Sequence, residues 1–375
     1  MLPRAPRFII SGGGTGGHIF PAIAIADELK RLHPGADFLF VGARGRMEME
    51  KVPAAGYPIE GLWISGLQRR LTLDNLSFPV KVINSLFRCR KILNDFRPDV
   101  VVGTGGYAGG PVLYAAARMG IPTLIQEPNA FAGLANKWLG SKVDKICVAF
   151  AGMGKFFPDH KLIITGNPVR EQLLERAKQL AEDRNTVEQT VLLMGGSGGA
   201  RSLNEAMAGS AALIKARPQV KWIWQCGKAY LEDYRKNATA ALPNVTLTAF
   251  LDKMDEAYAS ATVVIGRAGS TTIAEIEYLG KPAILVPSPW VAEDHQTKNA
   301  EALTAADAAV LLPNRQVGQQ LVPTVLELLN DPERRQRLGQ NALALARPGA
   351  VNHIAREVLG LITSPSPKNA THATV

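Results

Sequence analysis

The sequence predicts an α/β protein built as two Rossmann-like domains in tandem, and two observations carry that prediction. Short apolar runs alternate with helix-length segments along nearly all 375 residues, the rhythm of βα units that assemble a parallel sheet. The two halves also begin alike. Phe8-Ile9-Ile10-Ser11 runs into Gly12-Gly13-Gly14-Thr15-Gly16-Gly17, and Val191-Leu192-Leu193-Met194 runs into Gly195-Gly196-Ser197-Gly198-Gly199-Ala200. A strand that breaks into glycines and then into a helix is the opening turn of a Rossmann unit. Two such domains are expected to set the carboxyl ends of their parallel sheets across a cleft, where ligands of open α/β folds bind.

In chain order, the first half offers strands at residues 7–11, 38–41, 99–103, 123–126, 145–148 and 162–165. The second offers 190–194, 221–225, 245–248, 262–265 and 283–286. Helical periodicity fills the intervals, for example at 19–32, 203–216 and 273–279. The join falls near Gly166-Asn167-Pro168, because Pro168 ends strand pairing. The expected domains are 1–168 and 169–347, followed by a helix at about 348–362. The Ser/Pro/Ala/Thr-rich stretch 364–375 is expected to be a disordered tail.

Composition narrows the function. Apolar residues make up 46% and charged residues 20%, which suits a globular α/β chain. Cys89, Cys147 and Cys226 are far apart and form no CxxC pair, so reduced, buried thiols are expected. The start shows no charged-then-apolar leader, and no apolar run reaches the ~18 residues of a spanning helix. The protein is expected to be neither exported nor inserted. The net charge of +9 invites phosphate-rich partners. Residues 66–97 concentrate it, with Arg69, Arg70, Lys81, Arg88, Arg90, Lys91 and Arg97 against Asp74 and Asp95. No basic stripe interleaved with aromatics occurs, so nucleic acid is not an expected partner. On this segment Val82, Leu86, Cys89, Leu93 and Phe96 can face a core, leaving Leu76, Val80, Ile83 and Phe87 as a second apolar face. That face is read as docking on an anionic membrane surface, the alternative being burial on both sides.

The first loop fits G-x-G-x-x-G through Gly12, Gly14 and Gly17, where glycine lets a diphosphate approach a helix N-terminus. The second strand ends in Arg44 without an acid, so an NADP enzyme is the rival reading. His18 follows the loop and is read either as a general base or as a capping or packing residue. A third glycine-rich turn, 103–111, suggests a second phosphate-bearing ligand. In the second half, Ser270 is expected to cap a helix carrying Glu275. Glu275 can grip a ribose diol or merely favour the helix dipole. Glu293-Asp294-His295-Gln296 offers side chains suited to sugar hydroxyls. No Asp-x-Asp and no His pair at ligand spacing occurs, so no metal or other cofactor is expected.

Together these residues resemble the MurG family, the peptidoglycan N-acetylglucosaminyltransferases that convert lipid I to lipid II. The resemblance spans about residues 7–362. It rests on the 12–21 loop, Ser65-Gly66-Leu67, Gly105-Gly106-Tyr107, Glu127-Pro128-Asn129, Gly166-Asn167-Pro168-Val169-Arg170, Gly195-Gly196-Ser197, Arg267 with Gly269 and Glu275, and Asp294-His295-Gln296. Gly198 differs from the Gln of many members, and His295 from the Gln pair of some. The resemblance implies the two-domain GT-B fold and an inverting hexosyl transfer from UDP-N-acetylglucosamine to the C4 hydroxyl of undecaprenyl-linked lipid I. It further implies a peripheral enzyme on the cytoplasmic face of the bacterial inner membrane. Donor contacts would come from Thr15, Gly16, Gly17, Asn129, Arg170, Ser197, Leu251, Arg267, Glu275 and Gln296. Acceptor contacts would come from Thr15, His18, Tyr107 and Asn136, with His18 catalytic. The C-terminal helix would pack back on the first domain. Another UDP-sugar transferase or a UDP-N-acetylglucosamine epimerase shares the plan, and a non-catalytic sugar-binding protein is a further reading.

Overall fold

The computed structural model describes residues 4–65, 77–183, 188–196 and 198–363. The chain divides into two compact units, Met1–Val169 with Gly349–Val375, and Arg170–Pro348. In the N-terminal unit, strands β1 (Arg7–Gly12), β2 (Asp37–Ala43), β3 (Ile59–Leu62), β4 (Val100–Gly105), β5 (Thr123–Glu127), β6 (Lys145–Val148) and β7 (Leu162–Ile164) form one sheet. Its order is β3-β2-β1-β4-β5-β6-β7, with every pair parallel. Helices α1 (Gly16–Leu32), α2 (Glu48–Ala54), α3 (Phe78–Phe96), α4 (Gly109–Arg118) and α5 (Leu134–Gly140) belong to the same unit.

The C-terminal unit repeats the plan. Strands β8 (Thr190–Met194), β9 (Lys221–Gln225), β10 (Val245–Thr248), β11 (Val263–Gly266), β12 (Ala283–Leu285) and β13 (Val310–Leu311) run in the order β10-β9-β8-β11-β12-β13, again all parallel. Its helices are α6 (Glu171–Glu182), α7 (Arg201–Ala208), α8 (Ala211–Lys215), α9 (Leu231–Tyr234), α10 (Met254–Ser260), α11 (Ser270–Leu279), α12 (His295–Ala305), α13 (Val317–Asn330) and α14 (Pro332–Leu345). The last helix, α15 (Ala350–Thr363), returns to the N-terminal unit.

Strand periodicity explains the cores. In β1, Ile9 faces a cluster with Val41, Val101 and Ile125, under α3 and α4. Its neighbours Phe8 and Ile10 face the opposite cluster, with Phe40, Val102 and Leu124, under α1 and α15. Both faces are covered, so the strands read as continuous apolar runs. In each unit the strand order reverses beside the opening strand. The loops after β1 and β4, and those after β8 and β11, therefore flank the switch point where such folds take ligands.

Several expectations need correction. The helix read at 203–216 is two helices, because Gly209 ends α7 and Ser210 turns its hydroxyl back onto the Ala206 carbonyl at 2.7 Å. Ser270 does not cap α11. Gly269 holds that position with extended backbone, and Ser270 is already helical. The short strands β3 and β13 and the helix α2 were not anticipated. The three cysteines are buried free thiols. No described helix is long and apolar enough to cross a membrane. The expected tail and the cations Arg69 and Arg70 lie outside the described residues.

Candidate functional site

In the N-terminal unit the loop after β1 is folded around a carboxylate. Glu48, buried at the start of α2, accepts the Gly14 N–H at 2.9 Å through Oε2 and the Ala43 N–H at 3.0 Å through Oε1. Glycine is required at 13, because a Cβ there would collide with this carboxylate. A donor that a dinucleotide phosphate would use is thus taken, and a negative group sits under the loop. The NADP reading fails on that geometry. Thr15 is exposed at the N-cap of α1, and Gly16 and Gly17 form its first turn.

His18 is fixed on two sides by Thr104, at the end of β4. The Thr104 hydroxyl donates to the His18 carbonyl at 2.7 Å, and His18 Nδ1 lies 2.7 Å from the Thr104 carbonyl oxygen. A carbonyl can only accept, so Nδ1 carries the proton and Nε2 keeps its lone pair. This is the tautomer of a base that works through Nε2. The ring lies against Gly105 (φ +107°), where a Cβ would strike Nδ1, and Gly106 packs on the Gly13 backbone. Those contacts account for Gly105 and Gly106 in the third glycine-rich turn. Tyr107, half-exposed, sets its ring beside Gly14.

Glu127 closes β5 and is buried. It accepts from the Asn129 backbone at 3.1 Å, the Asn129 amide at 3.3 Å, the Gly133 backbone at 3.2 Å and the Asn136 amide at 2.8 Å. Burial pushes its pKa up, against the pull of these donors. Its oxygens clamp the 128–136 loop. Asn136, assigned by resemblance to the acceptor, is itself buried with its amide nitrogen turned onto Glu127. It acts on this loop from within.

In the C-terminal unit the loop after β8 is folded around an amide. Gln225 accepts the Gly195 N–H at 2.9 Å and donates to the Gly196 and Ala249 carbonyls, both at 3.0 Å. Ser197 lies outside the described residues. Beside the loop, Arg267 donates through Nη1 to the Val286 carbonyl at 3.2 Å, the Pro287 carbonyl at 3.1 Å and Asn314 Oδ1 at 2.7 Å. Its Nη2 donates to the Ser202 hydroxyl at 2.9 Å. Each of these acceptors is neutral, so the guanidinium is held in place without its charge being cancelled. Burial lowers its pKa from the usual arginine value.

Glu275 is buried on α11. Its Oε2 accepts the Tyr258 hydroxyl at 2.7 Å, and its Oε1 pairs with Arg170 at 3.3 Å. Gln296 accepts the Ser288 N–H at 2.8 Å, which fixes the amide and turns its NH₂ away as a donor. Just before it, Glu293 (φ +55°) and Asp294 (φ +52°) hold left-handed backbone, a strain that clusters at functional sites. Leu251 follows β10, half-buried. Glu48, Thr104, Gln225, Tyr258, Ser202 and Asn314 went unread. Of these only Gln225, the polar residue that follows Trp222-Ile223-Trp224 at the end of β9, carries a signal. Among the described residues, no three His, Cys, Asp or Glu side chains gather as a metal site.

Two family models match the chain: the glycosyltransferase family 28 N-terminal domain over residues 8–148 and the family 28 C-terminal domain over residues 190–354. The chain is 47% identical over 364 residues to the UDP-N-acetylglucosamine--N-acetylmuramyl-(pentapeptide) pyrophosphoryl-undecaprenol N-acetylglucosamine transferase of Cytophaga hutchinsonii, covering 96% of this chain and 97% of that protein. It is 48% identical to the protein of the same name from Bacteroides fragilis, over 95% of this chain and 96% of that one. Among solved structures, Acinetobacter baumannii MurG superposes with a TM-score of 0.79 at 27% identity, over 95% of this chain and 99% of that one. A UDP-GlcNAc 2-epimerase from Neisseria meningitidis reaches 0.64 at 15% identity, over 94% of this chain and 100% of that one, a likeness of fold alone.

Proposed function

The chain belongs to glycosyltransferase family 28, and we propose that it is the MurG-type transferase of peptidoglycan synthesis. It moves N-acetylglucosamine from UDP-N-acetylglucosamine to N-acetylmuramyl-(pentapeptide) pyrophosphoryl-undecaprenol, giving lipid II. Likeness along the whole chain to transferases of that name carries the reading.

His18 is the base. Its Nε2 takes the proton of the acceptor's C4 hydroxyl, and the freed oxygen bonds to the anomeric carbon opposite the diphosphate. The bond from that carbon to the diphosphate oxygen breaks, and its electron pair leaves with UDP. A single displacement inverts the centre and yields a β-1,4 link. Charge on the departing diphosphate is met by the Gly196 and Gly198 N–H groups, by Ser197 and by Arg267, with no resident metal required. Glu275 grips the ribose, the Leu251 backbone meets the uracil, and the Gln296 NH₂ and Asn129 meet the hexose. Thr15, Gly16, Gly17 and Tyr107 contact the substrates directly, and Asn136 holds the loop behind them. Turnover of UDP-N-acetylglucosamine with a short-chain lipid I analogue tests the reading. UDP release should require the acceptor and persist in EDTA; release without acceptor, or none at all, rejects it.

The same reading puts the enzyme at the cytoplasmic face of the plasma membrane through α3. Val80, Ile83 and Phe87 are exposed on this helix, and Trp63 is exposed nearby. A cavity of about 510 Å³ beside them is lined by Arg44, Trp63, Phe87, Arg88 and Lys91 among others. Cysteine and leucine residues of the opposite face, Cys89 and Leu93, are buried in the core. An apolar face among basic residues suits an anionic bilayer, where a cation adds about 1 kcal/mol, less for Arg88 and Lys91, which pair with Glu60 at 2.8 Å and Asp95 at 3.2 Å. Replacing Ile83→Glu together with Phe87→Glu should abolish sedimentation with anionic liposomes and leave UDP binding intact. Unchanged sedimentation moves the membrane face elsewhere.

A further inference from the structure

The two oxygens of Glu275 are not equivalent. Oε2 is held by the phenol of Tyr258, a fully buried side chain on α10, at 2.7 Å. Oε1 is held by Arg170 at 3.3 Å, and that arginine side chain is 61% exposed. A hydroxyl anchored by a ring in the core cannot leave without opening the unit. A solvated arginine on a long, single contact can swing away at small cost. One oxygen is therefore locked and the other exchangeable. Burying a carboxylate against a tyrosine is also a poor way to stabilise a fold, since an apolar pair of the same shape would do as well or better.

We propose that Tyr258 is a positioning residue for ribose recognition: it locks Oε2 of Glu275 so that Oε1 faces the nucleotide, with Arg170 as the resting partner that a ribose hydroxyl displaces. This rests on the reading of Glu275 as the ribose ligand. Burial and the neighbouring carboxylate both raise the Tyr258 pKa, so the phenol stays a donor throughout the working range. In this arrangement selectivity for ribose over 2′-deoxyribose depends on a residue that touches no part of the ligand. Arg170, once displaced, is free to turn toward the diphosphate.

The test is calorimetric titration of UDP and 2′-deoxy-UDP into the wild type and the variants Tyr258→Phe, Glu275→Ala and Arg170→Ala. A hydrogen bond to a charged group is worth about tenfold or more in affinity, so the wild type should prefer UDP by about that factor. Tyr258→Phe should lose most of this preference, bind 2′-deoxy-UDP as before, and raise KM while kcat holds. Arg170→Ala should keep the preference or enlarge it. Wild-type discrimination in Tyr258→Phe overturns the proposal, provided Glu275→Ala has lost it. If Glu275→Ala also discriminates as the wild type does, the ribose reading itself is wrong. A reduced preference in Arg170→Ala overturns the assignment of Oε1. Should Tyr258→Phe fail to fold, 4-fluorophenylalanine in place of Tyr258 fills the para position without an O–H to donate. It should lower the preference, and an unchanged preference overturns the proposal.

Discussion

Beneath the glycine loop of the N-terminal unit lies a carboxylate, Glu48; beneath that of the C-terminal unit lies an amide, Gln225. Both side chains accept a backbone N–H of their loop at 2.9 Å. The amide goes on to donate to the Gly196 carbonyl of its loop and to the Ala249 carbonyl after β10, whereas the carboxylate gathers a second N–H. Loops with nearly the same letters thus differ in electrostatics. One carries an anion of its own and leads into His18. The other is neutral from below, has Arg267 beside it, and is suited to an incoming diphosphate. Glycine content shows where a backbone turns sharply, and the supporting side chain determines which charge is welcome there.

Three substitutions would sharpen or break that contrast. The largest effect belongs to His18→Ala, which should lower kcat by about 10²–10⁴ with UDP affinity unchanged. The loss should be accompanied by disappearance of the acid limb of the pH profile, because an imidazole protonated on both nitrogens has no lone pair to offer. Turnover within a few-fold of the wild type would leave the N-terminal loop without a chemical role. Next comes Gln225→Glu, which removes the donations to the Gly196 and Ala249 carbonyls and adds like charge under the diphosphate. UDP should bind roughly ten- to a hundredfold more weakly, as expected for unpaired buried acceptors worth about 1–3 kcal/mol. Affinity within threefold would mean that the amide's neutrality is irrelevant. The smallest effect is Glu48→Gln, whose NH₂ must face either the Gly14 or the Ala43 donor. Stability should fall by about 1–3 kcal/mol, read as a lower Tm, with UDP affinity untouched. An unaltered Tm would show that the loop does not rest on this carboxylate.

The parallel strands were legible in the sequence because a sheet covered on both faces leaves unbroken apolar runs, as in Val100-Val101-Val102. Ile59-Glu60-Gly61-Leu62 was not, since a half-buried edge strand needs no such run. The glycine loops could be read as well, because sharp turns and close backbone approaches after strands demand a residue without a Cβ. Their supports could not. Glu48 stands 34 residues from the Gly14 amide it accepts, and Thr104 stands 86 from His18. Tyr258 sits between Ala257 and Ala259 on α10 and looks like filling until its hydroxyl is seen on Glu275. Pairings of that kind are created by the fold and have no periodicity to betray them.

The return of α15 to the N-terminal unit has a consequence for how the protein is made. Ile354, Ala355, Val358 and Leu361 complete a core begun by Phe8 and Ile10, and Asn352 bonds to Glu28 of α1. Domains emerging from a ribosome generally fold in the order they are synthesised. Here the unit translated first lacks one wall of its interior until α15 has emerged, whereas the residues of the second unit are all made before then. A message cut short before that helix would yield a complete second unit beside an unfinished first one, with apolar surface exposed to chaperones and proteases. Translation through α15 thereby becomes a condition for assembling the domain that holds His18.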